Sequence, residues 1–110
     1  MKNAQLSIKR TLELNILSNR EEMGKAAARD VSGAVRRIIK EKGRATVVFA
    51  AAPSQNEFLA HLSGMRSFDW SRVICFHLDE YVDLPRFHPN TFEVYLKEHL
   101  FDRVDRKSVV

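Results

Sequence analysis

Two acidic residues end an apolar, strand-like segment of the sequence. Asp79 and Glu80 directly follow residues 73–78, and alternation along a strand sends their side chains in opposite directions, so that one of them can face a cleft. Partial desolvation favours proton uptake by a carboxylate, which can then act as a general base and remove a proton from carbon. Asp79 is the candidate for that base. In the competing interpretations, Asp79 caps the following loop or pairs with an arginine such as Arg86, and Glu80 is an ion-pair partner.

A second candidate site lies where another apolar segment, residues 46–50, gives way to small side chains. Ala51, Ala52 and Ser54 follow that segment, and small side chains let a backbone approach a ligand closely. A helix that opens at Ser54 presents unpaired amides and a positive dipole end to an anion such as phosphate. The alternative is an ordinary strand-to-helix turn capped by Ser54. The turn lacks the glycines of common phosphate loops, and Pro53 has no amide donor.

The remaining residues of reactive type are assigned no catalytic role. His77 interrupts an apolar strand and is typical of a hydrogen-bonded core histidine, and Cys75 lies mid-strand as packing. The other histidines, His61, His88 and His99, form no recognisable triad with a Ser or Cys nucleophile. No Cys or His spacing indicates a metal site.

The first half of the chain predicts a strand, a long helix and a second strand. Apolar residues alternate over residues 12–17, as in a strand with one face buried. A capping box of Ser18 and Glu21 opens the helix, and Gly43 ends it. The wholly apolar residues 46–50 are typical of a strand that is covered on both faces.

The second half repeats this order of elements. A capping box of Ser54 and Glu57 opens a second helix, residues 73–78 form a further apolar strand, and Asn90 with Glu93 caps a third helix. Strands that alternate with helices imply right-handed βαβ units and an α/β fold with a mainly parallel sheet. Because the predicted strands number only about three, the sheet is expected to be incomplete.

The composition restricts the class of protein. The 110 residues allow one domain, and 45% apolar with 29% charged residues are typical of a packed globular chain. The single cysteine excludes an internal disulfide and indicates a reducing compartment. The longest apolar run, residues 47–53, is too short to cross a bilayer, and the opening residues lack the apolar stretch of a signal peptide. We therefore expect a cytoplasmic protein with no membrane partner.

The net charge of +4 does not by itself indicate nucleic-acid binding. Many of the cations cluster at the end of the first predicted helix, where both the helix dipole and solvent favour positive charge. No aromatic or helix-turn-helix pattern accompanies the cluster, and we expect no nucleic-acid partner. Its members are Arg36, Arg37, Lys40, Lys42 and Arg44.

A longer stretch of the sequence resembles the glucosamine-6-phosphate deaminase (isomerase) and 6-phosphogluconolactonase family. Residues 68–85 contain Asp-Trp before the strand and Leu-Asp-Glu-Tyr-Val at its end, and His88-Pro89 then opens the next helix, all in the family's order and spacing. The Glu-Glu-Met-Gly-Lys-Ala-Ala-Ala helix and the turn at residues 51–55 are similar to the family's first helix and phosphate loop. The resemblance covers residues 12–110 and is to the N-terminal half of the family's domain.

This resemblance implies a Rossmann-like, three-layer αβα domain that is incomplete in this chain. It implies the conversion of glucosamine 6-phosphate to fructose 6-phosphate and ammonia, with a sugar phosphate as partner and no organic cofactor. The aspartate that matches Asp79 moves a proton between C2 and C1 of the opened sugar. The family's phosphate loop matches Ala51, Ala52, Pro53 and Ser54. The full-length protein can be a homo-oligomer.

The sequence departs from the family in three respects. Alanine and proline replace the usual glycines of the phosphate loop, Phe92 stands where tyrosine is common, and the chain ends where the family's domain is about half built. We therefore expect residues 1–110 to be the N-terminal part of a single domain, with residues 1–11 flexible, and the chain alone to be inactive. The alternatives are a 6-phosphogluconolactonase-like hydrolase and a non-catalytic sugar-phosphate-sensing domain.

Overall fold

The computed structural model describes Ala4–Gln5 and residues 12–104. The expected flexibility of residues 1–11 therefore falls, apart from Ala4–Gln5, outside the described residues. The described part is a mixed helix and strand structure, as predicted. Its strands are β1 (Ala4–Gln5), β2 (Glu13–Leu14), β3 (Ala45–Phe49) and β4 (Val73–His77), and its helices are α1 (Arg20–Lys42), α2 (Asn56–Ser63) and α3 (Phe92–His99).

Helix α1 begins one residue later than the predicted capping box. The Asn19 side chain accepts the N–H of Glu22 at 2.9 Å, so the prediction of a box formed by Ser18 and Glu21 is wrong. Asn19 is the cap because its side chain accepts an otherwise free amide of the first helical turn, that of Glu22. The predicted end is confirmed, since Gly43 adopts a left-handed conformation with φ of 87°.

Strands β3 and β4 form a parallel pair, as the continuous apolar segments predicted. They pair without a bulge from Ala45 opposite Val73 to Phe49 opposite His77. Beyond the last pair, the N–H of Leu78 still donates to the carbonyl of Phe49 at 2.8 Å. The strand bounds differ from the predicted residues 46–50 and 73–78 by a single residue at the ends. Both strands therefore deliver the chain to the same edge of the sheet.

Only one face of the β3–β4 pair is covered in the described part of the chain. Phe49 and Cys75 point into the core, whereas Val48 is 57% and Phe76 is 38% exposed. The prediction that residues 46–50 are covered on both faces is therefore wrong. The reason is that the buried side chains of all three helices cluster with the inward face. The core residues from α1, α2, α3 and the C-cap of α3 are Ala28, Val35, Leu59, Leu62, Leu96 and Leu100.

The predicted first strand is wrong in its length and in its burial. Strand β2 has two residues, pairs antiparallel with β1, and belongs to a separate small sheet. Residues 12–17 are exposed throughout, and Ile16 is 51% exposed. The apolar residues do alternate along residues 12–17, but no other element of the described chain packs against their side chains.

The first turns of α1 and α2 meet at a glycine. A Cβ atom placed on Gly24 would lie 2.7 Å from the Cβ of Glu57, closer than such atoms pack. One turn before Gly24, the guanidinium of Arg20 pairs with the Glu57 carboxylate at 2.8 Å and donates to the Pro53 carbonyl at 2.8 Å. Close packing and an ion pair together fix the turn that precedes α2.

We expect Gly24→Ala to lower the free energy of unfolding by about 1–3 kcal/mol, because the added methyl group forces α1 and α2 apart. Gly33→Ala is the matched control, since Gly33 lies in the same helix and its Cβ would meet nothing within 4 Å. That control should stabilise the chain by about 0.5–1 kcal/mol through the gain in helix propensity. Urea unfolding followed by far-ultraviolet circular dichroism measures both changes. Equal stabilisation by both substitutions would contradict the close contact at Gly24.

Candidate functional site

The loops that follow β3 and β4 leave the sheet side by side. Phe49 and His77 form the last pair of the parallel strands, and Ala51 and Asp79 each lie two residues beyond it. In open α/β sheets this carboxyl edge is where ligands bind. The fold therefore brings both sequence-predicted segments to one edge of the sheet.

The Glu80 carboxylate binds the start of α3. Its two oxygens accept the N–H groups of Phe92 and Glu93 at 2.9 Å each and that of Tyr81 at 3.0 Å, and one oxygen lies 3.3 Å from His77 Nε2. Burial raises the pKa of Glu80, but these three amides and His77 outweigh it, so that the pKa lies below its ordinary value. The interpretation of Glu80 as an ion-pair partner is met by His77 when that imidazole is protonated. The position of Glu80 next to a helix N-terminus gives it a second, structural role.

The predicted cap of α3 is displaced by one residue. The Thr91 side chain, in a residue only 2% exposed, accepts an N–H from the first turn at 3.2 Å. The prediction that Asn90 and Glu93 form the cap is wrong because both have other partners. The Asn90 N–H donates to His88 Nδ1 at 3.1 Å, and Glu93 pairs with Arg86.

Asp79 differs from its neighbour in every contact. The residue is exposed, and it makes no hydrogen bond or ion pair with any residue that the structure describes. Arg86, which sequence reasoning offered as its partner, binds Glu93 instead. Asp79 therefore neither caps the loop nor pairs with Arg86. Its carboxylate stands open to solvent at the sheet edge.

The turn after β3 does not contain the predicted second capping box. Residues Pro53–Gln55 form a single 3₁₀ turn, and α2 begins only at Asn56. The prediction that Ser54 and Glu57 cap this helix is wrong, because Glu57 is bound by Arg20 from α1. The Ser54 hydroxyl thereby remains without a hydrogen bond to any residue between 12 and 104.

Three amides at this turn have no protein acceptor among the described residues. Within the described ranges, the N–H groups of Ala51, Ala52 and Ser54 donate to no acceptor. Pro53 interrupts the series because it has no N–H. Ala51 is buried and Ala52 has an extended backbone with φ of −166°, so the donors belong to an ordered connection between β3 and α2.

Tyr95 reaches the same turn from α3, and sequence reasoning missed this contact. The Tyr95 hydroxyl lies 2.6 Å from the Ala52 carbonyl and donates to it. The signal was nevertheless present in the residue type. A tyrosine in a buried stripe requires a polar partner for its hydroxyl, but the sequence does not say where that partner lies.

A cleft of about 320 Å³ lies beside the turn, between the N-terminal halves of α1 and α2. Of the predicted site residues, its wall contains Ser54 but not Asp79. The two candidate segments therefore lie at one edge of the sheet, but only the turn with Ser54 borders this cleft. The walls are formed by Arg20, Met23, Gly24, Ala27, Val31, Ser54, Gln55, Glu57 and Phe58.

No group of three or more His, Cys, Asp and Glu side chains among residues 12–104 is arranged to hold a metal ion. In the same range, none of the helices combines the length and the apolar composition that crossing a bilayer requires. Cys75 is buried in the core.

Comparison with known proteins identifies relatives of the chain by sequence. No protein-family model matches it. A glucosamine-6-phosphate deaminase from Thermoanaerobacter sp. (strain X514) is 31% identical over 100 residues, which cover 88% of this chain and 38% of the relative. A glucosamine-6-phosphate deaminase from Bacillus cytotoxicus is 27% identical over 97 residues, and the aligned region covers 88% of this chain and 35% of the relative. The chain thus spans less than half the length of the curated relatives that it matches.

Solved structures share the fold. A monomeric glucosamine-6-phosphate deaminase of the NagB superfamily superposes with a TM-score of 0.73 at 22% identity, over 84% of this chain and 40% of that one. A 6-phosphogluconolactonase from Shewanella baltica gives a TM-score of 0.73 at 19% identity, over 83% and 40% of the two chains. The predicted resemblance and the predicted fold class, an incomplete Rossmann-like αβα arrangement, are both confirmed.

We expect Glu80→Gln to lower the free energy of unfolding by about 1–2 kcal/mol at neutral pH, because a neutral amide is a weaker acceptor for the amides of α3. The neighbouring Asp79→Asn is the matched control. It removes an exposed carboxylate that has no partner in the described chain and should change stability by less than about 0.5 kcal/mol. Denaturant unfolding of the two variants measures the difference.

The contribution of Glu80 should also depend on pH. Since its pKa in the folded chain lies below the ordinary value of 4.5, the stabilisation is complete above that value and is lost as the pH falls through the folded-state pKa. The stability difference between the native chain and Glu80→Gln should therefore shrink as the pH is lowered below about 4.5. A difference that stays constant down to the acid transition would exclude this role for the Glu80 charge.

Proposed function

We propose that the chain is the N-terminal part of a sugar-phosphate isomerase and deaminase, which converts glucosamine 6-phosphate to fructose 6-phosphate and ammonia. Residues 1–110 would then form part of one larger domain. The observation that carries this proposal is the position, at one sheet edge, of a carboxylate and three turn amides that have no partner in the described part of the chain. The similarity of 88% of the chain to a relative named glucosamine-6-phosphate deaminase supports the same reaction.

In this proposal Asp79 is the general base. It takes the proton from C2 of the opened sugar and returns it to C1, which converts the aldose amine to a ketose imine. Water then hydrolyses the imine and releases ammonia. The open position of Asp79 supports this role, since a base must lie within hydrogen-bond reach of the proton that it removes. The hydrogen bonds from α3 to the Glu80 carboxylate restrict the backbone next to Asp79.

Ala51, Ala52 and Ser54 bind the substrate phosphate in the same proposal. Their N–H groups, together with the Ser54 hydroxyl, offer four donors with no partner in the described chain. The N-terminal end of α2, which follows directly, favours negative charge. A phosphate held here would place the sugar between the turn after β3 and the loop that carries Asp79.

The 110-residue chain should not complete this reaction alone. It spans 38% of the Thermoanaerobacter relative, so further catalytic and phosphate-binding groups would come from sequence that the chain does not contain. The proposal places the protein in the cytoplasm, with a sugar phosphate as its partner and neither nucleic acid nor membrane. It leaves room for a homo-oligomer of the full-length protein.

A 6-phosphogluconolactonase-like hydrolase is the second candidate. The Shewanella baltica structure favours it, since that enzyme's fold superposes as well as the deaminase fold does. Lactone hydrolysis requires no proton transfer at C2. The two candidates therefore differ in whether substitution of Asp79 blocks exchange of the C2 proton with solvent.

The test is a chimera in which this chain replaces the matching N-terminal part of the Thermoanaerobacter deaminase. We expect the chimera to release ammonia from glucosamine 6-phosphate, and Asp79→Asn to lower kcat by about 10²- to 10⁴-fold with little change in KM, because the base is lost and binding is not. Asp83→Asn, in the same exposed loop, is the matched control.

Unchanged ammonia release by the Asp79→Asn chimera would remove Asp79 as the base. Hydrolysis of 6-phosphogluconolactone without ammonia release would favour the second candidate. Ammonia release by the 110-residue chain on its own would contradict the expectation that it is inactive alone.

A further inference from the structure

We infer that Tyr95 is a positioning residue for the phosphate-binding turn, which it holds in shape through the Ala52 carbonyl. This inference rests on the proposed function, because it concerns the turn to which that proposal assigns the substrate phosphate. Tyr95 itself touches no reacting atom. Its role is to fix the backbone whose amides bind the ligand.

The Tyr95 hydroxyl links two parts of the turn. It lies 2.6 Å from the Ala52 carbonyl oxygen and also contacts the side-chain amide of Asn56, the first residue of α2. A hydroxyl has one hydrogen to donate, and the carbonyl oxygen can only accept it. Asn56 Oδ1 is a second acceptor within reach of the same hydroxyl, so the two oxygens share its single hydrogen. One phenol thus joins the end of the loop to the start of the helix.

Two successive carbonyls of the turn are fixed from opposite helices. Tyr95 of α3 binds the Ala52 carbonyl, and Arg20 of α1 donates to the Pro53 carbonyl at 2.8 Å. In a trans peptide the C=O and the N–H point in opposite directions, so the bond from Arg20 directs the Ser54 N–H away from α1. The Ala52 carbonyl also accepts the Gln55 N–H at 2.8 Å, and the bond from Tyr95 adds a contact from α3 to the same peptide plane, in which Pro53 has no N–H.

The Tyr95 side chain is rigid enough for this task. Its ring stacks on the His99 ring with 4.0 Å between centroids, and its carbonyl lies 2.8 Å from His99 Nδ1. Leu96 and Leu100, which are both fully buried, hold this helix against the core. Burial, together with the charge of Glu57, raises the pKa of Tyr95, so the hydroxyl remains a donor at physiological pH.

The experiment is a titration of the ¹⁵N-labelled chain with inorganic phosphate, followed by two-dimensional NMR. In the native chain we expect saturable shifts of the Ala51, Ala52 and Ser54 amides. In Tyr95→Phe the apparent Kd should rise about 2- to 12-fold, the change that loss of one neutral hydrogen bond produces. Shifts should remain centred on the same amides.

Tyr81→Phe is the matched control, because it removes the only other tyrosine hydroxyl of the chain. Tyr81 is 48% exposed, and its hydroxyl has no hydrogen-bond partner within residues 12–104. We expect this variant to bind phosphate with the native Kd. Equal weakening by both substitutions would overturn the inference, since the effect would not be specific to the contact with Ala52.

The outcomes separate this inference from the proposed function. Saturable binding with the same Kd in Tyr95→Phe would overturn the inference and leave the proposed phosphate site standing. A native chain without saturable shifts would overturn both. If Tyr95→Phe does not fold, 3-fluorotyrosine in the Tyr81→Phe variant labels Tyr95 alone. The ¹⁹F chemical shift of Tyr95 should then change during the phosphate titration with the same midpoint concentration as the amide shifts. A ¹⁹F shift that stays constant would overturn the inference.

Discussion

The contact between the Glu80 carboxylate and the first amides of α3 is the constraint on which the candidate site depends. It ties the loop after β4 to a helix that begins twelve residues beyond Glu80, and that loop has no strand or helix of its own. A carboxylate at this position stabilises the start of α3 in two ways. It satisfies amides that a helix leaves unpaired at its start, and it opposes the positive end of the helix dipole.

Because of this contact, the two adjacent acidic residues Asp79 and Glu80 differ in what they can do. Glu80 is committed to the backbone of α3, and Asp79 beside it has no partner in the described part of the chain. The turn after β3 shows a similar division, because side chains bind its Ala52 and Pro53 carbonyls, whereas the N–H groups of Ala51, Ala52 and Ser54 have no acceptor among the described residues. In both loops, hydrogen-bonded groups hold the backbone next to groups that have no partner among the described residues. That arrangement is what a preorganised binding site requires.

Sequence reasoning predicted those features that arise from residues close together in the chain. The parallel pair β3–β4 followed from two continuous apolar segments, and the end of α1 followed from Gly43. The helix starts were displaced by one residue where two good capping residues are neighbours. Asn19 displaced Ser18, and Thr91 displaced Asn90, because local pattern does not determine which of two such neighbours is the cap.

The features that sequence reasoning missed depend on residues distant in the chain. Glu57 cannot close a capping box because Arg20, 37 residues earlier, binds it. The hydroxyl of Tyr95 finds its acceptor 43 residues away. Similarly, the alternation at residues 12–17 indicated a buried face, but burial requires a second layer that a local pattern does not contain. The candidate residues could be named from sequence, whereas the contacts that orient them could not.

The position of the single tryptophan gives the chain a built-in optical probe. Trp70 is 5% exposed, its ring lies 4.7 Å from that of Phe68, and it precedes the first residue of β4. The candidate site lies beyond the last residue of the same strand, roughly 17 Å away at about 3.3 Å per residue. Indole emission will therefore follow the loss of the core on unfolding and remain insensitive to an anion at the far end of the strand. Folding and occupancy can then be read as separate spectroscopic events in one sample.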